Sequence, residues 1–426
     1  MSKGLSAIRN WMSPMNSEGS SRVVPPSAAA LANLRHNSSL EERRNVQGNR
    51  APMEASEARR FVVLDFYRFV AALGVFIFHL KLIDKGISPA WNGSYGLFVD
   101  MFFILSGFVI SYSYPSTSTG PRSYARFLIR RIARIYPLHL LTLLIFAVLA
   151  LMGISGPTSH ASLTDFIQNL FLVQAWGITD HLSFNSPAWS ISAELFCYLL
   201  FPLFMLLAGR ISPLMLAIIV ALSYGILAHA HLPIWQERSQ MYGATFDFGM
   251  LRALPSFLNG ILLTVLFRLS RDYRKKPVAF AGIALFAVSV LVLNFFAKPD
   301  LAIILFSLAI LVTATGESAF ARFPGSDWLG RLGNTSYAIY MVHEVLLILL
   351  FKPAWHYFGL QPSMFPVFAL VCCIVLTVVA DVTYRYVEDP ARRLINRLAP
   401  GGARSARVPK PEPLGLAEAR QAANAS

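Results

Sequence analysis

The chain has 426 residues, of which 55% are hydrophobic and only 14% are charged. Soluble domains carry about 25% charged residues, so this composition excludes an ordinary soluble protein and indicates an integral membrane protein. The formal net charge of +14 comes without a basic patch interleaved with aromatic residues, so no nucleic-acid partner is predicted.

The two ends of the chain differ from the middle. Residues 1–60 are rich in Ser, Arg, Glu, Ala and Asn and contain no apolar run, and residues 398–426 are similar. Because such segments cannot bury enough apolar surface to fold, we interpret both as disordered cytoplasmic tails. The first of them lacks the apolar core of a signal peptide, so no cleavage is expected there. Residues 61–397 form one predicted transmembrane domain.

Ten apolar segments in this domain approach the roughly 20 residues that a helix needs to cross a bilayer. Arg and Lys are concentrated in the loops that lie inside if the N-terminus is cytoplasmic, whereas the loop over residues 156–187 has neither. This is the positive-inside pattern, and an even number of spans places both termini in the cytoplasm. The sequence therefore predicts an all-α, polytopic transmembrane helical bundle of about ten spans, at residues 62–80, 96–115, 135–155, 188–208, 213–230, 251–269, 278–296, 300–316, 334–351 and 364–386.

The first predicted span carries polar side chains that are costly in a membrane. It contains Asp65, Arg68 and His79. A charge in a membrane helix costs about 2.5–3.5 kcal/mol on insertion scales and marks a functional site by default. Arg68 and His79 are about three helical turns apart, so they share a face of the helix and differ in depth by roughly 16 Å.

A second set of polar residues precedes the third span. Arg126, Arg130 and Arg134 recur every fourth residue, with Arg131 beside them, which predicts a short helix in the first inner loop. Like charges at this spacing repel, and guanidinium groups suit phosphate oxygens, so a phosphate clamp is one interpretation. The other is topological charge or contact with lipid headgroups, and the spacing alone favours neither.

Titratable groups also occur inside later spans. Glu194 lies in the outer half of the fourth span, where His79 is also expected, so the two predict a buried acid–imidazole pair. His343, in the ninth span, is interpreted from its surroundings alone as a hydrogen-bonded packing histidine. The three cysteines lie in apolar runs, and their spacing suggests neither a zinc site nor a disulfide framework, so no metal is predicted.

Taken together, these motifs resemble those of the acyltransferase 3 family of integral membrane acyltransferases. The matching motifs occur in family order over residues 62–393. They are Arg68 with His79, Arg130-Arg131 with Arg134, Trp189-Ser190 with Glu194, Ser336-Tyr337 with His343, and Glu388-Asp389-Pro390.

The resemblance implies an activity and a location. It implies transfer of an acyl group, most often acetyl, from acetyl-CoA or another acyl-CoA to a hydroxyl of a cell-surface or exported carbohydrate, either a glycan or a lipid-linked saccharide. It also implies a multi-pass protein of the bacterial inner membrane, of the stand-alone type without a hydrolase-like domain.

The resemblance also assigns roles to residues. It carries the family's catalytic Arg and His over to Arg68 and His79, and its cytoplasmic arginine motif over to Arg130, Arg131 and Arg134. In the mechanism that we expect, this arginine motif holds the coenzyme A phosphates. His79 acts as general base or forms an acyl-imidazole, and Glu194 orients His79.

Two other classes of function remain open from the residues. A proton-coupled secondary transporter would use His79, Glu194 and Asp65 as a proton relay, although the chain shows no corresponding halves with paired broken spans. A receptor or scaffold would use the polar stripe of the first span only to pair helices.

Overall fold

The computed structural model describes residues 61–399, except for 81–82, 84–93, 116–119, 155–159, 230–240, 271–277, 297 and 321–325. The predicted N-terminal tail and nearly all of the predicted C-terminal tail lie outside the described residues. The described part of the chain is helical, and its one β-type contact is a bridge between His160 and Ser183.

The helices follow the apolar segments of the sequence in order. They are α1 (Val62–Leu80), α2 (Phe98–Ser113), α3 (Pro121–Leu151), α4 (Leu163–Leu170), α5 (Trp189–Arg210), α6 (Pro213–His229), α7 (Gly249–Leu269), α8 (Ala279–Phe295), α9 (Pro299–Phe320), α10 (Ser326–Leu346), α11 (Lys352–Tyr357), α12 (Phe365–Thr383) and α13 (Asp389–Leu398). Wider π-helical turns at Leu347–Phe351 and Tyr384–Glu388 continue α10 into α11 and α12 into α13.

The predicted multi-pass membrane bundle is confirmed in kind. Within the described residues, eight helical segments are long and apolar enough to cross a bilayer. The other two predicted spans are shorter apolar helices, Pro213–Leu227 and Phe280–Phe295. All ten predicted spans are therefore helical, and eight of them meet the length expected for a crossing.

The arginine motif was expected to form a separate short helix in the first inner loop, but it does not. It belongs to the first half of α3, which has 31 residues and is therefore about 46 Å long. A hydrocarbon core is about 30 Å thick, so α3 extends beyond it. The arginines all lie in the half of α3 that begins at Pro121.

Small residues set the closest helix crossings. A Cβ atom at Gly107 of α2 would overlap the carbonyl oxygen of Phe257 on α7, and one at Gly260 of α7 would overlap Ile104 on α2. Likewise, a Cβ atom at Gly333 of α10 would overlap the backbone of Asp65 on α1. Small residues let helices pack closely in membranes, where dispersion contacts take the place of the hydrophobic effect. These crossings fix α1, α2, α7 and α10 around the polar interior described next.

Candidate active site

Three cavities follow one another through the helix bundle. The arginine cavity, of about 260 Å³, is lined by polar residues that include Arg68, Arg130, Arg131, Arg134, Glu194 and Arg392. A narrow throat of about 50 Å³ shares Arg68, Glu194 and Tyr337 with it. The histidine cavity, of about 420 Å³, contains His79 and shares Val99 and Tyr340 with the throat. The shared lining residues place the three cavities next to one another in the bundle.

The arginine cavity collects positive charge from three helices. Arg68 comes from α1, the three arginines of the predicted motif from α3, and Arg392 from α13. The structure therefore brings Arg130, Arg131 and Arg134 of the predicted phosphate-binding motif together and adds Arg68 to them. Arg126, one turn earlier on α3, is exposed and does not line the cavity.

Aromatic rings and one carboxylate hold these guanidinium groups. Arg131 donates a hydrogen bond from Nη2 to the Tyr114 hydroxyl over 3.2 Å and stacks on the same ring. Arg134 lies over the Tyr337 ring, 5.6 Å from its centroid, and forms an ion pair with the buried Glu388. Glu388, which belongs to the last of the matching motifs, thus anchors one arginine of the cavity.

Glu194 faces the arginine cavity and the throat. Its Oε1 accepts a hydrogen bond of 2.5 Å from the Ser106 hydroxyl. Glu194 and His79 line different cavities. The hydrogen bond to Ser106 places Glu194 at the mouth of the throat, and the acid–imidazole pair expected from similar depth stays a prediction.

The throat is narrow and largely aromatic. Phe102, Phe103, Ile191 and Tyr337 line it together with the small hydroxyl side chains Ser190 and Ser336. At its far end the Tyr340 hydroxyl lies 2.7 Å from Ser190 Oγ and 3.0 Å from the Pro187 carbonyl oxygen. The throat is thus much smaller than the arginine cavity, at about 50 Å³ against about 260 Å³.

His79 lies at the end of α1 and has a defined tautomer. Its Nδ1 is 2.9 Å from the carbonyl oxygen of Val75, one turn earlier on the same helix. A carbonyl oxygen only accepts, so Nδ1 carries the proton and Nε2 of the neutral ring holds the lone pair. The ring also lies beside that of His343, with centroids 5.0 Å apart.

A buried ion pair forms one wall of the histidine cavity. Arg252 of α7 donates to both carboxylate oxygens of Asp100 on α2, over 3.2 and 2.6 Å. It also donates to the carbonyl oxygens of Ala244 and Gly96. Asp100 is fully buried. Because Arg252 satisfies it, the structure favours the structural role.

The sequence pattern missed three residues that line these cavities, namely Tyr340, Arg252 and Arg392. For Tyr340 a signal existed: it lies three residues after Tyr337 and three before His343, on one helical face. Arg252 and Arg392 reach the cavities only through helix packing, which gives no local signal. Within the described ranges, no group of three His, Cys, Asp or Glu side chains is arranged to hold a metal ion.

With this geometry in place, comparison with known proteins identifies the family. A family model described as an acyltransferase domain matches residues 61–385, about three quarters of the chain. The chain belongs to the acyltransferase 3 family. The family resemblance drawn from the motifs is confirmed, and the chain carries a membrane-embedded acyltransferase domain.

Two curated relatives illustrate the range of the family. The O-acetyltransferase OatA of Staphylococcus aureus is 30% identical over 365 residues, which cover 78% of this chain and 57% of OatA. The acyltransferase MdmB of Streptomyces mycarofaciens is 28% identical over 370 residues, which cover 78% of this chain and 92% of MdmB. The chain thus matches little more than half of OatA. No solved structure matches.

Proposed function

We propose that this protein is a membrane O-acyltransferase that moves an acyl group, acetyl in the simplest case, from acyl-CoA to a carbohydrate hydroxyl across the bundle. One observation carries the proposal: three neighbouring cavities that share lining residues run from a cluster of five arginines to a histidine with a basic Nε2. Donor and acceptor then meet within the protein although each enters from its own side of the membrane.

The arginine cavity suits the nucleotide end of the donor. Coenzyme A carries a diphosphate and a ribose phosphate, and bidentate guanidinium groups recognise phosphate oxygens well. Stacking on Tyr114 and Tyr337 and the ion pair with Glu388 hold two of the guanidinium groups in place. We assign Arg130, Arg131 and Arg134 to donor binding, together with Arg68.

The throat suits the remainder of the donor. The pantetheine arm is an unbranched chain, and extended it is long enough to carry the thioester from the arginines toward His79. Arg68 and Glu194 line both the arginine cavity and the throat, so they lie where the arm enters. We therefore place both residues with the donor, and not beside the base.

His79 then performs the chemistry. Its Nε2 takes the proton of the acceptor hydroxyl while the hydroxyl oxygen attacks the thioester carbon. The carbon–sulfur bond breaks, the electron pair stays on sulfur, and the proton passes from His79 to the coenzyme A thiolate. General base catalysis of this kind contributes about 10²–10⁴-fold. An acyl-imidazole on the same nitrogen is the nucleophilic variant of this route.

The orientation follows from charge. The arginine end carries the excess of Arg and Lys, which the positive-inside pattern places in the cytoplasm, where acyl-CoA is made. The histidine end then faces outward, toward a glycan or lipid-linked saccharide. The bacterial inner membrane is the location that fits this arrangement.

The test is hydrolysis and transfer with radiolabelled acetyl-CoA on purified protein in detergent. Wild type is compared with His79→Ala and with His139→Ala, which removes another buried histidine that lines none of the three cavities. We expect His79→Ala to lose about 10²–10⁴-fold in label release and His139→Ala to remain active. Full activity of His79→Ala would overturn the assignment of the base, and donor-independent uptake into proteoliposomes would favour a transporter.

A further inference from the structure

His343 of α10 contributes a second imidazole to the end of the path. The side chain is fully buried, and its ring lies beside that of His79, with the ring planes inclined at 47°. It also meets the rings of Phe76 and Tyr340. His343 is thus enclosed by the walls that surround His79.

The hydrogen bond of His343 fixes its tautomer. Its Nδ1 is 2.7 Å from the carbonyl oxygen of Tyr340, three residues earlier on α10. As with His79 and Val75, the carbonyl oxygen can only accept, so Nδ1 carries the proton. Each of the two rings is therefore tied to its own helix through Nδ1 and presents Nε2 as its basic nitrogen.

The Nε2 atom of His343 is buried without a hydrogen-bond partner among the described residues. Leaving a buried acceptor unsatisfied costs about 1–3 kcal/mol, so an unsatisfied buried group in a native fold calls for an explanation such as a catalytic role. A neutral His79 offers no N–H on Nε2. A protonated His79 does.

We propose that His343 is a positioning residue that stabilises the protonated form of His79 by accepting its Nε2–H during acyl transfer. The proposal rests on the proposed function, because the protonated ring arises when His79 removes the proton of the acceptor hydroxyl. The N–H bond formed in that step turns toward His343 Nε2. The proton then leaves to the coenzyme A thiolate, and both rings return to their neutral forms.

Other charged and titratable groups around the histidine cavity each have a hydrogen-bond or ion-pair partner at one atom or more. Arg252 of α7 binds Asp100 of α2, and the Tyr340 hydroxyl lies against Ser190 of α5 and the Pro187 carbonyl. Glu344 of α10 accepts a hydrogen bond of 2.8 Å from the Ser186 hydroxyl at Oε1. Its Oε2 is buried without a partner among the described residues, but Glu344 does not line the histidine cavity. Tyr242, on the short turn Met241–Gly243, donates to Asp300 of α9 over 2.5 Å. The unused acceptor of His343 belongs to the ring that lies against His79.

The test compares His343→Leu, which has no acceptor, with His343→Gln, which keeps one in its amide oxygen. Acetyl-CoA turnover of the purified full chain is measured from pH 5 to pH 9. Losing a hydrogen bond to a charged ring shifts the acid limb of the kcat profile to lower pH by about one unit. We expect this shift, with a lower plateau and an unchanged KM for acetyl-CoA, in His343→Leu, and near wild-type behaviour in His343→Gln.

His139→Leu is the matched control. His139 is buried, hydrogen-bonded to the backbone through one ring nitrogen and unpartnered at the other, but it lines none of the three cavities.

Equal loss of thermal stability in the two Leu variants, with a moved acid limb only in His343→Leu, supports the proposal. If His343→Leu does not fold, His343→Phe takes its place. An unmoved acid limb in the folded variant, or the same change in His343→Gln as in His343→Leu, would overturn it. If wild type itself shows no acetyl-CoA turnover that depends on His79, the proposed function is rejected instead.

Discussion

Arg68 and His79 share a face of α1 but line different cavities. Arg68 lines the arginine cavity and the throat, whereas His79 lines the histidine cavity. Their separation of about 16 Å along the helix spans the throat between the two cavities. One helix thus supplies a residue for donor binding at one end of the path and the proposed base at the other, so substitutions at the two ends should have separable effects.

Removing an arginine of the donor site should weaken donor binding before it affects chemistry. In Arg130→Ala, the loss of charge-assisted hydrogen bonds, at about 1.5–3 kcal/mol, is expected to raise KM for acetyl-CoA about 10- to 100-fold with a smaller change in kcat. Arg126→Ala is the control, because Arg126 is exposed on the same helix and lines no cavity. Equal KM values for the two variants would remove the phosphate assignment.

Filling the throat should stop transfer while leaving donor binding intact. Ser336 is buried on the throat wall, and Ser336→Leu narrows a passage of only about 50 Å³. Overpacking costs about 1–3 kcal/mol, so Ser289→Leu, at a buried serine of α8 outside the path, is the control for stability. Acetyl-CoA binding and turnover are measured for both. Normal turnover in Ser336→Leu would exclude the throat as the route.

The Asp100–Arg252 pair should matter chiefly for stability. In Arg252→Met, the carboxylate of Asp100 is left buried and unpaired, which costs about 3–5 kcal/mol. The double variant Asp100→Asn/Arg252→Met should recover most of this loss. Thermal unfolding in detergent measures the stability of the single and the double variant. Arg385→Met is the control because Arg385 and Asp381 form an exposed pair, worth at most about 1 kcal/mol. A double variant no more stable than Arg252→Met would contradict the structural role of the pair.

A histidine–carboxylate cluster outside the membrane spans predicts how stability depends on pH. Burial disfavours the charged ring, but hydrogen bonds to Asp180 and Asp165 outweigh it and raise the pKa of His181. Because the pKa is higher in the folded chain, this stabilisation is fully present below the unfolded value of about 6.5. It is lost as the pH rises through the folded value.

The carboxylates of the cluster respond in the opposite sense. For Asp165, burial raises the pKa, but hydrogen bonds from Ser162 and His181 outweigh it, and the pKa is lowered. Its stabilisation is therefore present above about pH 3.9 and is lost as the pH falls further. The cluster is most stabilising between these limits. His181→Gln should lose more thermal stability at pH 6 than at pH 8, and His356→Gln, at an exposed histidine, is measured beside it as the control. If the loss of thermal stability in His181→Gln does not depend on pH, the charge on the His181 ring does not contribute to stability.

Local sequence patterns were sufficient for the helices and for much of the donor site. Apolar runs near the length of a bilayer crossing predicted every membrane-length helix, and the four-residue spacing of Arg126, Arg130 and Arg134 predicted their helical setting. The predicted helix was too short, because the charged arginines were taken to mark the end of the membrane span. In fact α3 continues through its arginines, since a helix that leaves the hydrocarbon layer keeps all its backbone hydrogen bonds.

Contacts between distant segments were beyond the sequence patterns. Equal depth in the membrane suggested that Glu194 pairs with His79, which stays a prediction. Depth leaves the rotation of each helix undetermined, so the hydrogen bond between Glu194 and Ser106 had no signal in the sequence. His343 was interpreted as a packing residue because its neighbour His79 lies 264 positions away in the chain. Arg392 enters the arginine cavity only because a π-helical turn carries α12 into α13.

The most direct test of the account is the sidedness of the reaction in sealed proteoliposomes with one known orientation of the protein. Acetyl-CoA labelled in the acetyl group is added outside vesicles whose arginine end faces out, with His79→Ala as the control. The account predicts that free coenzyme A thiol appears outside and labelled acetyl product appears in the lumen, and that His79→Ala yields neither. Label that stays on the donor side, or acetyl-CoA consumed equally from the histidine end, would contradict a path that joins the two cavities.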